Sequence, residues 1–221
     1  MSDIRAIIFD FDGVLVHGEP HHMQAWISVL KSIGLTLTEK DFNEKYLGFG
    51  DRDFLPIFLK DQGRALAVSE QAKLITAKQR LLMEAYRKKI PVLSGAQEIL
   101  EAACKQYPLA LVTGSQDEEV YFILDQLNWR RFFKNIITHT HVTKGKPDPE
   151  GFLKAFPGIP PENILVIEDS PRGLMAAKRA GMICVAVENS YPASQLQDAH
   201  EIYKNTNDLA HLFNRNRIHS D

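Results

Sequence analysis

The chain has 221 residues, 44% hydrophobic and 24% charged, with a formal net charge of −2. That length allows one large domain or two small ones with an ordinary globular core. The near-neutral balance excludes a basic surface of the kind that binds nucleic acid or an anionic membrane, and no apolar run is long enough to span a bilayer.

The first predicted element is a buried strand over 4–9 (Ile-Arg-Ala-Ile-Ile-Phe), which runs directly into Asp10-Phe11-Asp12-Gly13-Val14. Two acids then stand at the carboxyl end of a strand, the edge at which open α/β sheets bind ligands. Residues two apart in extended backbone point to the same side, so Asp10 and Asp12 can approach one site while Phe11 turns into packing. Close carboxylates repel and resist desolvation; a divalent cation, or a proton on one of them, relieves that. Taken alone, the same residues read equally well as an Asp-Gly turn.

From about 20 to 89 no strand is predicted. Met23, Trp26, Ile27, Leu30 and Ile33 have helical spacing over 21–33, and Gly34 is a natural stop. Thr38, with Asp41 three residues on, reads as an N-cap. Phe54, Ile57 and Phe58 form a short apolar face. Ser69 is expected to cap a long polar helix through 89, with Leu74, Leu81, Leu82 and Tyr86 turned inward. From 92 onward the elements alternate: helix 95–106, strand 109–112, helix 118–127, strand 135–138, helix 150–156, strand 164–167, helix 172–180, strand 183–187. Such alternation predicts a parallel sheet with right-handed crossovers.

The fold class is therefore α/β, a parallel sheet with helices on both faces, interrupted after its first strand by an all-helical insert. The expected domains are a discontinuous core, 1–15 with 92–221, and the insert with its hinges, 16–91. The polar tail over 215–221 is expected to be disordered. Cys104, in a helical pattern, and Cys184, in a strand pattern, read as buried small apolar residues rather than a disulfide framework. The N-terminus lacks a basic stretch followed by a long apolar one, so a cytoplasmic protein without a signal peptide is expected.

Three later strand ends also carry reactive side chains. Strand 109–112 runs into Thr113-Gly114-Ser115. Lys144-Gly145-Lys146-Pro147-Asp148-Pro149 follows strand 135–138, and strand 164–167 runs into Glu168-Asp169-Ser170-Pro171. From the residues alone, Thr113 reads as the cap of the next helix and a lone lysine as a solvated one. Ser170 reads as a cap with Pro171 at the first helical position, which leaves two acids to spare.

Acid pair, hydroxyl, lysine, acid pair, in that order, resembles the haloacid dehalogenase superfamily over nearly the whole chain. Asp-x-Asp-Gly-Val, Gly-Lys-Pro-x-Pro and Glu-Asp-Ser-x-x-Gly carry the resemblance together. It is closest to the branch with a helical cap inserted just after the first motif, which contains phosphoglycolate phosphatase-like and β-phosphoglucomutase-like enzymes. The resemblance implies a Rossmann-like core and Mg²⁺-dependent hydrolysis of a small soluble phosphomonoester through an aspartyl-phosphate. It implies Asp10 as nucleophile and Asp12 as general acid and base. The Thr113 hydroxyl, with the amides of Gly114 and Ser115, would hold phosphoryl oxygens. Lys146, rather than Lys144, would place a charge beside the nucleophile. Mg²⁺ would be held by Asp10, the backbone carbonyl of Asp12, and Asp169, with Glu168 near; such oxygen donors suit it.

His22 matches a cap-hinge histidine of β-phosphoglucomutase-like members and is counted with the substrate contacts; a polar residue opening a helix is the other reading. His139 and His141 have metal-like spacing but read as an exposed strand end or loop, and Trp26 reads as packing. The expected partner is a small phosphorylated metabolite, with no nucleic acid and no membrane, and the protein is expected to be a monomer or weak homo-oligomer.

Two departures from the family bear on activity. His17-Gly18-Glu19 stands where relatives commonly have Asp-Ser/Thr-Glu. Asp51 and Gln116 stand where β-phosphoglucomutase-like members use a cap arginine and a core lysine to grip a distal phosphate, although Arg52 is adjacent. A sugar phosphomutase is thus the alternative enzyme. A phospho-accepting signalling receiver shares the acid pocket, the hydroxyl and the lysine, but is shorter and lacks the large helical insert.

Overall fold

The computed structural model describes residues 3–214, so the tail over 215–221 lies outside the described residues. The chain divides after His17 and again after Pro91 into two compact units.

The helical unit contains α1 (Glu19–Ser32), α2 (Glu39–Asp41), α3 (Asp51–Asp61) and α4 (Val68–Lys88), with a wide helical turn, Phe42–Tyr46, between α2 and α3. α1 starts two residues earlier than its apolar spacing predicts, because Pro20 is tolerated in a first turn. The Thr38 cap forms: its hydroxyl accepts from the Asp41 amide at 3.0 Å. Ser69 does not cap α4. That helix begins one residue sooner, and the Glu70 carboxylate accepts instead from the Ala67 amide at 2.8 Å.

Aromatic rings fill this unit. Trp26 packs on Phe54 at 4.9 Å between centroids, and Phe54 stacks on Phe58 at 5.6 Å. Inside lies a charge that the apolar pattern did not predict. Lys78 is fully buried and pairs with Asp51 at 2.9 Å, and Asp51 also accepts from the Trp26 indole N–H at 3.0 Å. The Lys78 ammonium stands 2.7 Å from Nδ1 of His22. An ammonium has no lone pair, so Nδ1 is the acceptor. Burial opposes the charge on Asp51, yet the Lys78 ammonium and the hydrogen bonds from Lys78 and Trp26 hold its carboxyl below the usual range.

The α/β unit is built on a six-stranded parallel sheet in the order β3-β2-β1-β4-β5-β6. Its strands are β1 (Ala6–Phe9), β2 (Leu109–Val112), β3 (Phe133–Ile137), β4 (Ile164–Glu168), β5 (Ile183–Val187) and β6 (Glu201–Tyr203). The helices are α5 (Ala96–Ala103), α6 (Asp117–Gln126), α7 (Glu150–Ala155), α8 (Pro171–Ala180) and α9 (Thr206–Asn214). β1 is central and wholly buried, which is why its sequence is an unbroken apolar run rather than an alternating one. Ala6 and Ile8 join Val112, Val166, Phe152 of α7 and Leu174 of α8 in one core; Ile7 and Phe9 face the other side.

Five strands stand where apolar runs place them. β6 was not expected: it is three residues long and lies at the sheet edge with Glu201 and Ile202 exposed, so no apolar run marks it. Cys104 corrects another expectation, being exposed, whereas Cys184 is buried; both are free thiols. Among the described residues no helix is long and apolar enough to cross a membrane. The strand order reverses at β1, flanked by β2 and β4, so the carboxyl ends of these strands border the crevice where such sheets bind ligands.

Candidate active site

The Asp10 amide donates to the Ile167 carbonyl at 2.9 Å, so its backbone continues the pairing of β1 with β4. The chain then turns sharply: the Leu15 amide returns to the Phe11 carbonyl at 2.8 Å, and the Gly13 amide to that of Val16 at 2.7 Å. Gly13 takes a φ of +81°, and a Cβ there would stand 1.7 Å from Oδ2 of Asp169. Both facts require glycine. Two side chains hold the turn. Asn189 donates to the Gly13 carbonyl at 2.7 Å, and the Thr206 hydroxyl donates to that of Val14 at 2.8 Å.

At the end of β4, Glu168 and Asp169 are buried, and Ser170 caps α8 as expected by accepting from the Gly173 amide at 3.1 Å. One Glu168 oxygen accepts from the amides of Asp169 (3.0 Å) and Ser170 (3.1 Å) and from the Ser170 hydroxyl (2.9 Å). Its other oxygen pairs with Lys146, whose ammonium also pairs with Asp10 and donates to the Val112 carbonyl at 3.3 Å. Lys146, not the exposed Lys144, is thus the lysine at the acids. Asp10, Glu168 and Asp169 bring carboxylate oxygens within 4.8 Å of one another.

Three close acids and one ammonium shape the electrostatics. Burial, with Glu168 adding and Lys146 opposing, pushes the Asp10 carboxyl up to about 7. Burial, then the charges of Glu168 and Asp10, push Asp169 well above the usual carboxylate range. Burial alone would lower Lys146, but the charges of Asp10 and Glu168 overcome it and raise its proton affinity. The acids therefore favour a proton or a cation where they meet.

Thr113, at the end of β2, is not the cap of α6, whose first residue follows Gln116. Its hydroxyl accepts from the Ser115 amide at 3.1 Å, as in a short hydroxyl turn, and keeps its own proton for donation. A small pocket borders Thr113, Gly114 and Lys146.

His22 belongs to the helical unit and its Lys78 contact. His141 accepts through Nδ1 from the Thr138 amide at 3.1 Å, a local turn contact. Neither His139 nor His141 belongs to a group of metal-spaced ligands among the described residues.

Sequence reasoning missed Glu119, fully buried on α6, with a carboxylate oxygen within 4.8 Å of one on Asp12. It also missed Lys78, although 74, 78 and 82 share one helical face, a spacing that marks the position as inward.

Gly173 gives a local test of this packing. Ala normally stabilises a helix interior by about 1 kcal/mol over Gly. Here a Cβ would stand 1.9 Å from the Glu168 carboxylate. Gly173→Ala is expected to lower both melting temperature and turnover, because Glu168 must leave Lys146. Thermal melts alongside steady-state rates check this; a more stable, fully active variant would contradict it.

A family model for haloacid dehalogenase-like hydrolases matches residues 4–181. The chain belongs to that family. It is therefore an enzyme, a haloacid dehalogenase-like phosphoric monoester hydrolase. Among its relatives, a phosphorylated carbohydrates phosphatase of Thermotoga maritima is 32% identical over 81% of this chain and 82% of its own. A β-phosphoglucomutase of Bacillus subtilis is 29% identical over 93% of this chain and 92% of its own. The fold matches that of CbbY from Rhodobacter sphaeroides, solved with phosphate, with a TM-score of 0.84 at 24% identity over 93% of this chain and 96% of that one.

Proposed function

We propose that the chain is a Mg²⁺-dependent phosphatase of small phosphorylated metabolites that works through an aspartyl-phosphate on Asp10. The observation that carries this reading is the cluster of Asp10, Glu168 and Asp169 at the carboxyl ends of β1 and β4, with Lys146 paired to the first two. Three buried carboxylates against one ammonium leave two negative charges uncompensated, and the oxygen donors suit a hard cation. Asp10, Asp169 and the Asp12 carbonyl would hold Mg²⁺. Both Glu168 oxygens are engaged by the chain, so Glu168 serves from behind by fixing Lys146 and the start of α8. A bound Mg²⁺ would neutralise phosphoryl charge.

The chain's own residues supply the rest. Asp10 attacks phosphorus, and the leaving oxygen takes a proton from Asp12. Asp12 later removes a proton from the water that frees phosphate from Asp10, each such transfer contributing about 10²–10⁴-fold in typical enzymes. Thr113, the amides of Gly114 and Ser115, and Lys146 hold the equatorial oxygens. Residues 16–91 act as the family's helical cap and set specificity, with His22 among its contacts.

A phosphomutase must retain a second phosphate. Asp51 is acidic and already committed to Lys78 and Trp26, and Gln116 is neutral, whereas charge-assisted contacts to phosphate are roughly twice as strong as neutral ones. Hydrolysis is therefore the favoured outcome. Phosphate release from a panel of phosphorylated sugars and small acids with Mg²⁺ tests the assignment. β-Glucose 1-phosphate with a trace of the bisphosphate should yield free phosphate; rapid isomerisation without release would make the protein a mutase.

A further inference from the structure

We propose that Arg172 is a positioning residue that acts through Lys146. Lys146 lies on an irregular loop between β3 and α7, and an ammonium on a four-carbon stem is a mobile charge unless its backbone is fixed. Glu168 fixes the ammonium end. The backbone end is fixed from α8: the Arg172 guanidinium donates to the Lys146 carbonyl, and that of Arg179, two turns on, donates to the Pro147 carbonyl at 2.9 Å. The other side of the loop is tied down separately. The Glu150 carboxylate accepts from the Thr143 and Lys144 amides, at 3.0 Å to each from one oxygen.

Arg172 and Glu168 hold the same residue at its two ends, and both belong to one rigid corner. Ser170 caps α8 and bonds to Glu168 with the same side chain, and Pro171 and Arg172 are the first two residues of the helix. Arg172 thus relays the position of α8, which starts at the acids, to the backbone that carries the lysine. Charge-assisted donation to a carbonyl is strong enough for that task, and displacement of a catalytic group by about 1 Å can cost about 10²-fold in rate.

The inference rests on the reading of Lys146 as the charge beside the transferring phosphoryl group, so the test is a cycle of four proteins on an activated aryl phosphate with Mg²⁺. Lys146→Met alone measures that underlying reading. Arg172→Met is expected to lower kcat about 10–100-fold with KM within about threefold. Arg172→Lys, which keeps a charged donor, should recover much of it. In the Lys146→Met background Arg172→Met should cost less than about twofold more, because the group it positions is gone. Thermal melts of all variants accompany the rates. Equal losses of Arg172→Met in both backgrounds, a folded Arg172→Met with full kcat, or an Arg172→Lys no better than Met would each overturn the proposal. Full activity of Lys146→Met would instead overturn the role given to Lys146. Were Arg172→Met to melt too low for assay, Arg172→Gln, which keeps an amide donor, carries the same cycle.

Discussion

Asp10→Asn is expected to abolish turnover, a fall of about 10⁴-fold or more, of the order seen when other enzymes lose a nucleophile. The amide keeps the size and shape of the carboxylate but has no charge with which to attack phosphorus. Stability should move little or rise. Burial penalises the Asp10 charge strongly enough to lift its carboxyl to about 7, and Lys146 keeps Glu168 as a partner after the substitution. A folded, inert protein therefore separates lost chemistry from lost structure. Samples quenched rapidly, or trapped with fluoride, after mixing with phosphate-labelled substrate give the decisive reading. Wild type should carry label on protein and the variant none. Label that persists on Asp10→Asn would place the nucleophile elsewhere.

What the sequence reveals about this protein follows burial on both faces. β1, β2, β4 and β5 are central and almost wholly apolar, so they are legible as runs, and the acids and the hydroxyl stand out because β1, β4 and β2 run straight into them, while Lys146 stands on the loop after β3. β6 escapes because an edge strand with Glu201 exposed needs no apolar run. Caps are legible at Thr38 and Ser170, whose hydroxyls accept from the amide three residues on. At α4 the Glu70 carboxylate closes the helix start instead of Ser69, and Thr113 closes a turn instead of opening a helix. Buried charges were the least legible. Asp51 reads as an acid standing where relatives place a phosphate-gripping arginine, and only the three-dimensional packing of α1, α3 and α4 shows it paired with Lys78. Arg172 is hidden for the same reason, since its partner is a backbone carbonyl 26 residues away in sequence.

Removal of divalent metal is expected to have a comparably large effect. Burial, with the neighbouring acid charges adding, raises Asp10 and Asp169, and among the described residues Lys146 is the cation paired with this group, so a further positive charge is favoured where Asp10, Glu168 and Asp169 meet within 4.8 Å. A proton there would disarm Asp10 as the proposed nucleophile, and a dianionic phosphoryl group brought to the same acids would add to the repulsion. A cation corrects both, and charge stabilisation of this kind is worth several kcal/mol, or about 10³-fold in rate. Thorough chelation should therefore bring phosphomonoester hydrolysis near background, and Mg²⁺ should restore it. Binding should also register without catalysis: a ligand at a hundred times its Kd stabilises a fold by about 2.7 kcal/mol, so Mg²⁺ should raise the melting temperature by several degrees. Asp169→Asn removes one donor and one charge, and should lose most of both the activity and the thermal shift. Undiminished turnover after chelation would sink the metal assignment. An unchanged Mg²⁺ shift in Asp169→Asn would move the metal away from these acids.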